Sequence, residues 1–217
     1  MSLQVITAAA RHQRWAYHGT DRFLNVFLPY MQKYLHVLED CRVVDIGCNA
    51  GVVSAAICEY ATSCIGVEEA MDAYEQALIT KSMTRGDFTP IHMDAKSFAA
   101  NVDNYDFNAF FAANVLYHFD QETMAMVESK ILPKCNTVLI FSKENKPKKK
   151  NNFGLHTWKN IVPFLQKNGF VTECLYDTSQ IFTDYQTGYQ KGRALINRSV
   201  EKSHTESVLV PVLGKRR

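Results

Sequence analysis

The chain reads as an α/β protein, a mostly parallel sheet with helices packed against it. From residue 42 onward, short apolar runs alternate with helix-length amphipathic stretches, the pattern of strands joined by crossover helices. Two of the runs, 105–113 and 137–141, are apolar almost throughout, as strands covered on both faces must be.

The elements follow in order. Val43–Gly47 is the first strand, Ser54–Tyr60 a helix and Cys64–Val67 the second strand. Asp72–Met83 is a helix stopped by Arg85-Gly86-Asp87, and Pro90–Met93 is a short third strand. Tyr105–Ala113 and Thr137–Phe141 are central strands four and five. Between them Gln121–Leu132 has helical spacing and ends before Pro133, which cannot donate to a helical ladder. Trp158–Asn168 is a helix closed by Gly169. Phe170–Tyr176 and Val208–Leu213 are the final strands, and Pro211 predicts an edge position or a bulge for the second of them. Ahead of the sheet, Leu3–Leu38 is aromatic and helical in character, a cap over 1–41 set against a domain over 42–217, the two forming one compact unit.

Composition excludes several classes. Of 217 residues, 47% are hydrophobic and 21% charged, enough for one sizeable core. No stretch has the length and apolarity to span a membrane, and no basic start leads into an apolar run, so the cytosol is the expected compartment. The six cysteines form no C-x-x-C pair and lie in apolar segments, so reduced core thiols are expected. His12 and His18 stand six apart with no second ligand pair at zinc-like spacing, and no metal is expected. The net charge of +2 is too mild to announce a nucleic-acid partner, although Lys146 and Lys148–Lys150 cluster, as do Lys215, Arg216 and Arg217.

Chemistry is concentrated where Val43-Val44-Asp45-Ile46 runs into Gly47-Cys48-Asn49-Ala50-Gly51 and then a helix. Such strand–turn–helix junctions sit at the carboxyl edge of a parallel sheet, where open α/β folds bind ligands. A dinucleotide fingerprint from Gly47 needs glycines where Asn49 and Val52 stand, and a phosphate-binding P-loop needs Gly-Lys where Val52-Val53 stand. The segment Asp45-x-Gly47-x-x-x-Gly51 resembles the first motif of the class I S-adenosylmethionine-dependent methyltransferases, with asparagine replacing the middle glycine. The resemblance covers about residues 42–176, and Asn114-Val115-Leu116-Tyr117-His118 is similar to the segment after strand four in relatives of the tRNA wobble-uridine modification enzymes.

That likeness implies a seven-stranded, mostly parallel, Rossmann-like sheet with helices on both faces and the last strand antiparallel. It implies S-adenosylmethionine as cofactor, held by Asp45, Gly47, Cys48, Asn49, Gly51, Glu68, Asp94, Ala95 and Asn114. Glu68, about twenty residues past the glycine loop, would accept from the ribose hydroxyls, and Asp94 from the adenine amino group; as an alternative, Asp94 is a plain helix N-cap.

Methyl transfer from a sulfonium asks the protein for orientation, water exclusion and sometimes a base. His118 is the candidate base, with packing or capping as its alternative role. Tyr117, Lys143, Arg14, Tyr17 and His18 are the candidate substrate contacts, the last three in a stretch mixing cations with aromatics that reads slightly better as an amphipathic helix with its aromatics in the core. Ribose 2′-O methylation is discounted, since Ala113-Asn114 stands where its aspartate belongs. The expected acceptor is a small molecule, with RNA (tRNA) as the alternative; the aromatics and cations over Thr178–Glu206 are either a base-stacking surface, which would serve the latter, or ordinary packing. A nicotinamide (NAD)-dependent oxidoreductase and a non-catalytic cofactor-binding module are the readings from other classes.

Overall fold

The computed structural model describes residues 28–143, 158–175 and 209–216. Expectations placed on residues 1–27, Lys146–Lys150, Thr178–Glu206 and Arg217 lie outside them.

The chain enters through a short helix α1 (Leu28–Gln32) and a 3-10 turn at Leu35–Leu38. Then come β1 (Arg42–Ile46), α2 (Val52–Ile57), β2 (Ser63–Glu68), α3 (Met71–Met83), β3 (Phe88–His92), α4 (Ala95–Ala100) and β4 (Ala109–Ala113). The remainder is α5 (Gln121–Met126), β5 (Thr137–Lys143), α6 (Trp158–Lys167), β6 (Phe170–Cys174) and β7 (Leu209–Arg216). These strands form a seven-stranded sheet in the order β3-β2-β1-β4-β5-β7-β6. The first five pair in parallel, and β7 runs antiparallel between β5 and β6. This is the mixed sheet expected from the sequence.

Strand side chains alternate between faces, and the core divides accordingly. Val43, Ala109, Phe111, Leu139 and Phe141 share one cluster with α1, the Leu35–Leu38 turn and the buried side of α2. Val44, Ile46, Phe110, Ala112, Val138 and Ile140 share the other with Phe98 of α4, Ile131, and Ile161 and Leu165 of α6. Apolar groups at successive positions are therefore all buried, which is why these strands read as continuous apolar runs.

Four elements differ from the sequence reading. The helix after β1 begins at Val52, not Ser54, because Gly51 takes a left-handed conformation and lets the chain turn straight into α2. Strand four starts only at Ala109. Upstream, Tyr105 stacks on Phe98 at 4.8 Å and Phe107 packs against the same ring, so their apolar character serves a helix rather than a ladder. The helix expected over Gln121–Leu132 is α-helical to Met126, then widens into a π turn over Val127–Ile131 and tightens to a 3-10 turn at Leu132–Lys134, where Pro133 has no N–H for an α ladder. Finally, β7 is neither an edge strand nor bulged: Pro211 faces Phe141 in an unbroken register and lies inside the sheet. Its carbonyl accepts from Leu175 N at 3.1 Å, just past the end of β6, so the absent N–H removes one bond at the last rung instead of breaking the middle of the ladder.

All six cysteines are free thiols. Among the described residues no helix is long and apolar enough to cross a membrane.

Candidate functional site

Strand order reverses between β1 and β4, because β2 lies on one side of β1 and β4 on the other. At the carboxyl ends of these strands a cleft of about 650 Å³ opens, the position a doubly wound sheet offers a ligand. Gly47, Asn49, Glu68, Asp94, Ala95, Asn114, Tyr117 and His118 all line it, so one space gathers most of the residues singled out from the sequence.

The glycine loop is clipped to β2. Gly47 N and Cys48 N both donate to Val67 O, at 2.8 and 3.1 Å. Gly47 has φ 76°, and a Cβ there would stand 2.6 Å from Val115 Cγ2, so any side chain would push the loop off the segment after β4 and distort the cleft between them. Asn49, at φ 52°, occupies the left-handed region open to asparagine.

Glu68 is held by the loop it serves. Its Oε2 accepts from Asn49 N and its Oε1 from Ala70 N, each at 2.9 Å. The carboxylate is thereby oriented at the cleft wall with a further lone pair on each oxygen for a ligand's hydroxyls.

Asp45, Cys48 and Gly51 are placed behind this surface and do not line the cleft. The pleat turns Asp45 to the same face as Val43, toward α2, where it is 2% exposed and accepts from Ser54 Oγ at 2.6 Å. Burial pushes its carboxyl up to about 7; the Ser54 hydrogen bond opposes this and the nearby Glu68 charge adds to it. Cys48 is buried under the loop, and its thiol is pushed up, first by burial. These residues shape the loop from beneath.

Asp94 plays the capping part as well as lining the cleft. Its Oδ1 accepts from Ser97 N at 2.8 Å and its Oδ2 from Ser97 Oγ at 2.6 Å, and these bonds, the hydroxyl's first, hold the carboxyl below its ordinary range. Lys96, beside it, pairs with Glu122 at 2.7 Å and joins α4 to α5 across the mouth.

After β4 the backbone turns sharply. Asn114 has φ 55° and donates its N–H to Phe141 O at 2.8 Å, and a 3-10 turn then carries Leu116–His118. The Tyr117 and His118 rings lie 4.0 Å apart at 37°, both on the cleft wall. Burial raises the Tyr117 phenol, opposed by a hydrogen bond from the Asn114 side chain. The Oδ1 of Asn114 is buried and has no partner among the described residues.

Lys143 ends β5 opposite Leu209, and its side chain, with Arg14, Tyr17 and His18, lies outside the described residues. Glu69, Met93, Lys96, Phe119, Asp120 and Thr123 also line the cleft, although none is expected there from the sequence. One signal was available: Asp120-x-x-Thr123 is an N-cap pattern, and Asp120 Oδ1 does accept from Thr123 N at 2.7 Å. The other four stand next in sequence to residues already singled out: Glu69 beside Glu68, Met93 and Lys96 on either side of Asp94-Ala95, and Phe119 after His118.

No protein-family model and no curated protein matches the chain. Solved structures do. The chain is similar to magnesium protoporphyrin IX methyltransferase from Synechocystis PCC 6803 with bound SAH, at 14% identity and TM-score 0.57 over 88% of this chain and 82% of that one. It is similar to the methyltransferase domain of bacterial CtHen1, at 13% identity and TM-score 0.56 over 88% and 97%. It also matches a cyclopropane-fatty-acyl-phospholipid synthase-like protein from Lactobacillus casei, at 11% identity and TM-score 0.56 over 90% and 91%. Likeness at this level defines the fold: the chain has the Rossmann-like methyltransferase fold.

Three features of the cleft fit S-adenosylmethionine. The glycine loop gives close backbone approach, Glu68 offers oriented lone pairs, and the described lining residues carry four carboxylates (Glu68, Glu69, Asp94, Asp120) against one ammonium (Lys96), a surrounding suited to a cationic ligand.

Proposed function

We propose that the chain is an S-adenosylmethionine-dependent methyltransferase acting on a small molecule. The observation that carries this is Glu68, locked by the Asn49 and Ala70 amides at the wall of a cleft roofed by the glycine loop. Glu68 would take the ribose hydroxyls, Asp94 and the Ala95 amide the adenine edge, and Gly47, Asn49 and the backbone of Asn114 the amino-acid arm. Asp45, Cys48 and Gly51 would support that surface from below. The bound cofactor supplies an electrophilic methyl group on a sulfonium. Tyr117 and His118 orient the acceptor at the other wall, where the imidazole can take a proton and pass it to solvent; Lys143 and the stretch holding Arg14, Tyr17 and His18 stand as further acceptor contacts. Residues 1–41 are read as a cap on the 42–217 domain, and the cytosol, where six thiols stay reduced, as its compartment.

Calorimetry with S-adenosylmethionine tests the assignment. Glu68→Ala is expected to weaken binding roughly 100-fold, the loss of two charge-assisted hydrogen bonds. Equal heats for both proteins, or heat with NAD in place of S-adenosylmethionine, would sink it. Turnover on no acceptor despite binding would favour a non-catalytic module.

A small molecule is favoured over RNA because the described lining is acidic and because Arg216, in the basic C-terminal cluster, is occupied: it lies over the Phe170 ring at 4.9 Å and donates to Leu132 O at 3.1 Å. Binding to tRNA, the acceptor suggested by the wobble-uridine likeness, is expected to be weak. Tight retention that falls steeply between 50 and 200 mM salt, the mark of counterion release, would reverse this preference.

A further inference from the structure

We propose that the side chain of Asn114 is the docking point of the methyl acceptor and that the group it holds is a hydrogen-bond donor, so the acceptor is an amine or a hydroxyl compound and not a carboxylate or a phosphodiester. The proposal rests on the methyltransferase reading of the cleft, and two observations carry it beyond that reading.

The first is an unmatched oxygen. Asn114 lines the cleft, its side chain is hydrogen-bonded to Tyr117, and its buried Oδ1 has no donor among the described residues. A buried acceptor left without a donor is costly. The backbone does not require it: the φ of 55° at this residue is met at least as well by glycine, which would leave no such oxygen. An arriving N–H or O–H supplies the missing donor. An amino or hydroxyl group can give one hydrogen to Oδ1 while a lone pair faces the cleft, whereas a carboxylate or a phosphodiester brings only acceptors and sets oxygen against oxygen.

The second is charge. Glu68, Glu69, Asp94 and Asp120 line the same cleft, and the one lysine among the described lining residues, Lys96, is already paired with Glu122 at 2.7 Å. An anionic acceptor entering here meets net repulsion, and a neutral or cationic amine does not.

Aniline, toluene and benzoate, three flat rings of like size differing in one substituent, separate the possibilities when titrated by NMR into the protein holding S-adenosylhomocysteine. The wild type is expected to bind aniline roughly tenfold more tightly than toluene, the worth of one matched buried hydrogen bond, with benzoate weakest. Asn114→Gly, compatible with the backbone, is expected to lose the aniline preference, and Asn114→Asp, which keeps an oxygen there, to retain it. An aniline preference that survives in Asn114→Gly, or a wild type that prefers toluene or benzoate, overturns the proposal. Loss of S-adenosylhomocysteine affinity in Asn114→Gly with the aniline preference intact also overturns it, by assigning the side chain to the cofactor. A wild type that takes no S-adenosylhomocysteine yet loses its aniline preference in Asn114→Gly leaves the docking point standing and removes the methyltransferase reading.

Discussion

Placing alanine at Gly51 is expected to cost roughly 2–5 kcal/mol of folding stability, a large share of the about 5–15 kcal/mol that holds a typical domain together. Two costs combine. Gly51 sits at φ 73°, where a Cβ crowds the backbone by about 1–2 kcal/mol. That Cβ would also lie 2.5 and 2.6 Å from the Cζ and Cε1 of Phe88 and 3.3 Å from the Cβ of Ala77. Phe88 is 1% exposed and fixed in β3, so its ring has nowhere to retreat, and overpacking adds about 1–3 kcal/mol. Urea unfolding measures the sum. Pairing Gly51→Ala with Phe88→Leu should recover the packing part and leave the backbone part. A single variant within about 1 kcal/mol of the wild type would show that the loop has a second, unstrained conformation.

Asp45→Asn should change the pH dependence of stability more than any other substitution in the site. The Asp45 carboxyl titrates near 3.8 unfolded and near 7 folded. Between those values the folded protein holds a proton that the unfolded chain has lost, so stability falls as pH rises through the window and the full penalty is present above 7. A shift of this size corresponds to on the order of 4 kcal/mol. Asparagine keeps an oxygen for Ser54 and carries no charge, so the variant is expected to gain roughly 2–4 kcal/mol on the wild type at pH 8 and little or nothing at pH 4. Parallel stability curves for the two proteins across that range would refute the account.

Much of the architecture was legible because the central strands are buried on both faces: Val43-Val44 and Phe110-Phe111 contribute to opposite clusters, and such runs stand out in any sequence. The glycine loop was legible for a different reason, since its chemistry is local and its glycines mark backbone conformations. What depended on packing was not. Tyr105 and Phe107 look like strand residues until Phe98 claims them. Pro211 suggests an edge, but one missing N–H at a terminal rung is tolerated inside a sheet. Asp45 matched a motif as a ligand, while the pleat directs its carboxyl to Ser54. Lys96 and Glu122 meet across the cleft mouth from different helices, a contact that no local pattern records.

The insertion of β7 between β5 and β6 bears on how the molecule reaches its native state. Thr137 pairs with Lys215 and Lys143 with Leu209, so one flank of β5 awaits partners well over sixty residues farther along the chain. β6 meets no strand of the sheet except β7. Closing a loop of that size adds little to the equilibrium cost but slows the search, because its entropy is lost before the contacts form. Until it closes, the backbone amides and carbonyls along that side of β5 stand unpaired in a strongly apolar strand, a template for another chain in the same state. The residues farthest along the described chain therefore guard its most association-prone strand, and yield on refolding should fall with protein concentration.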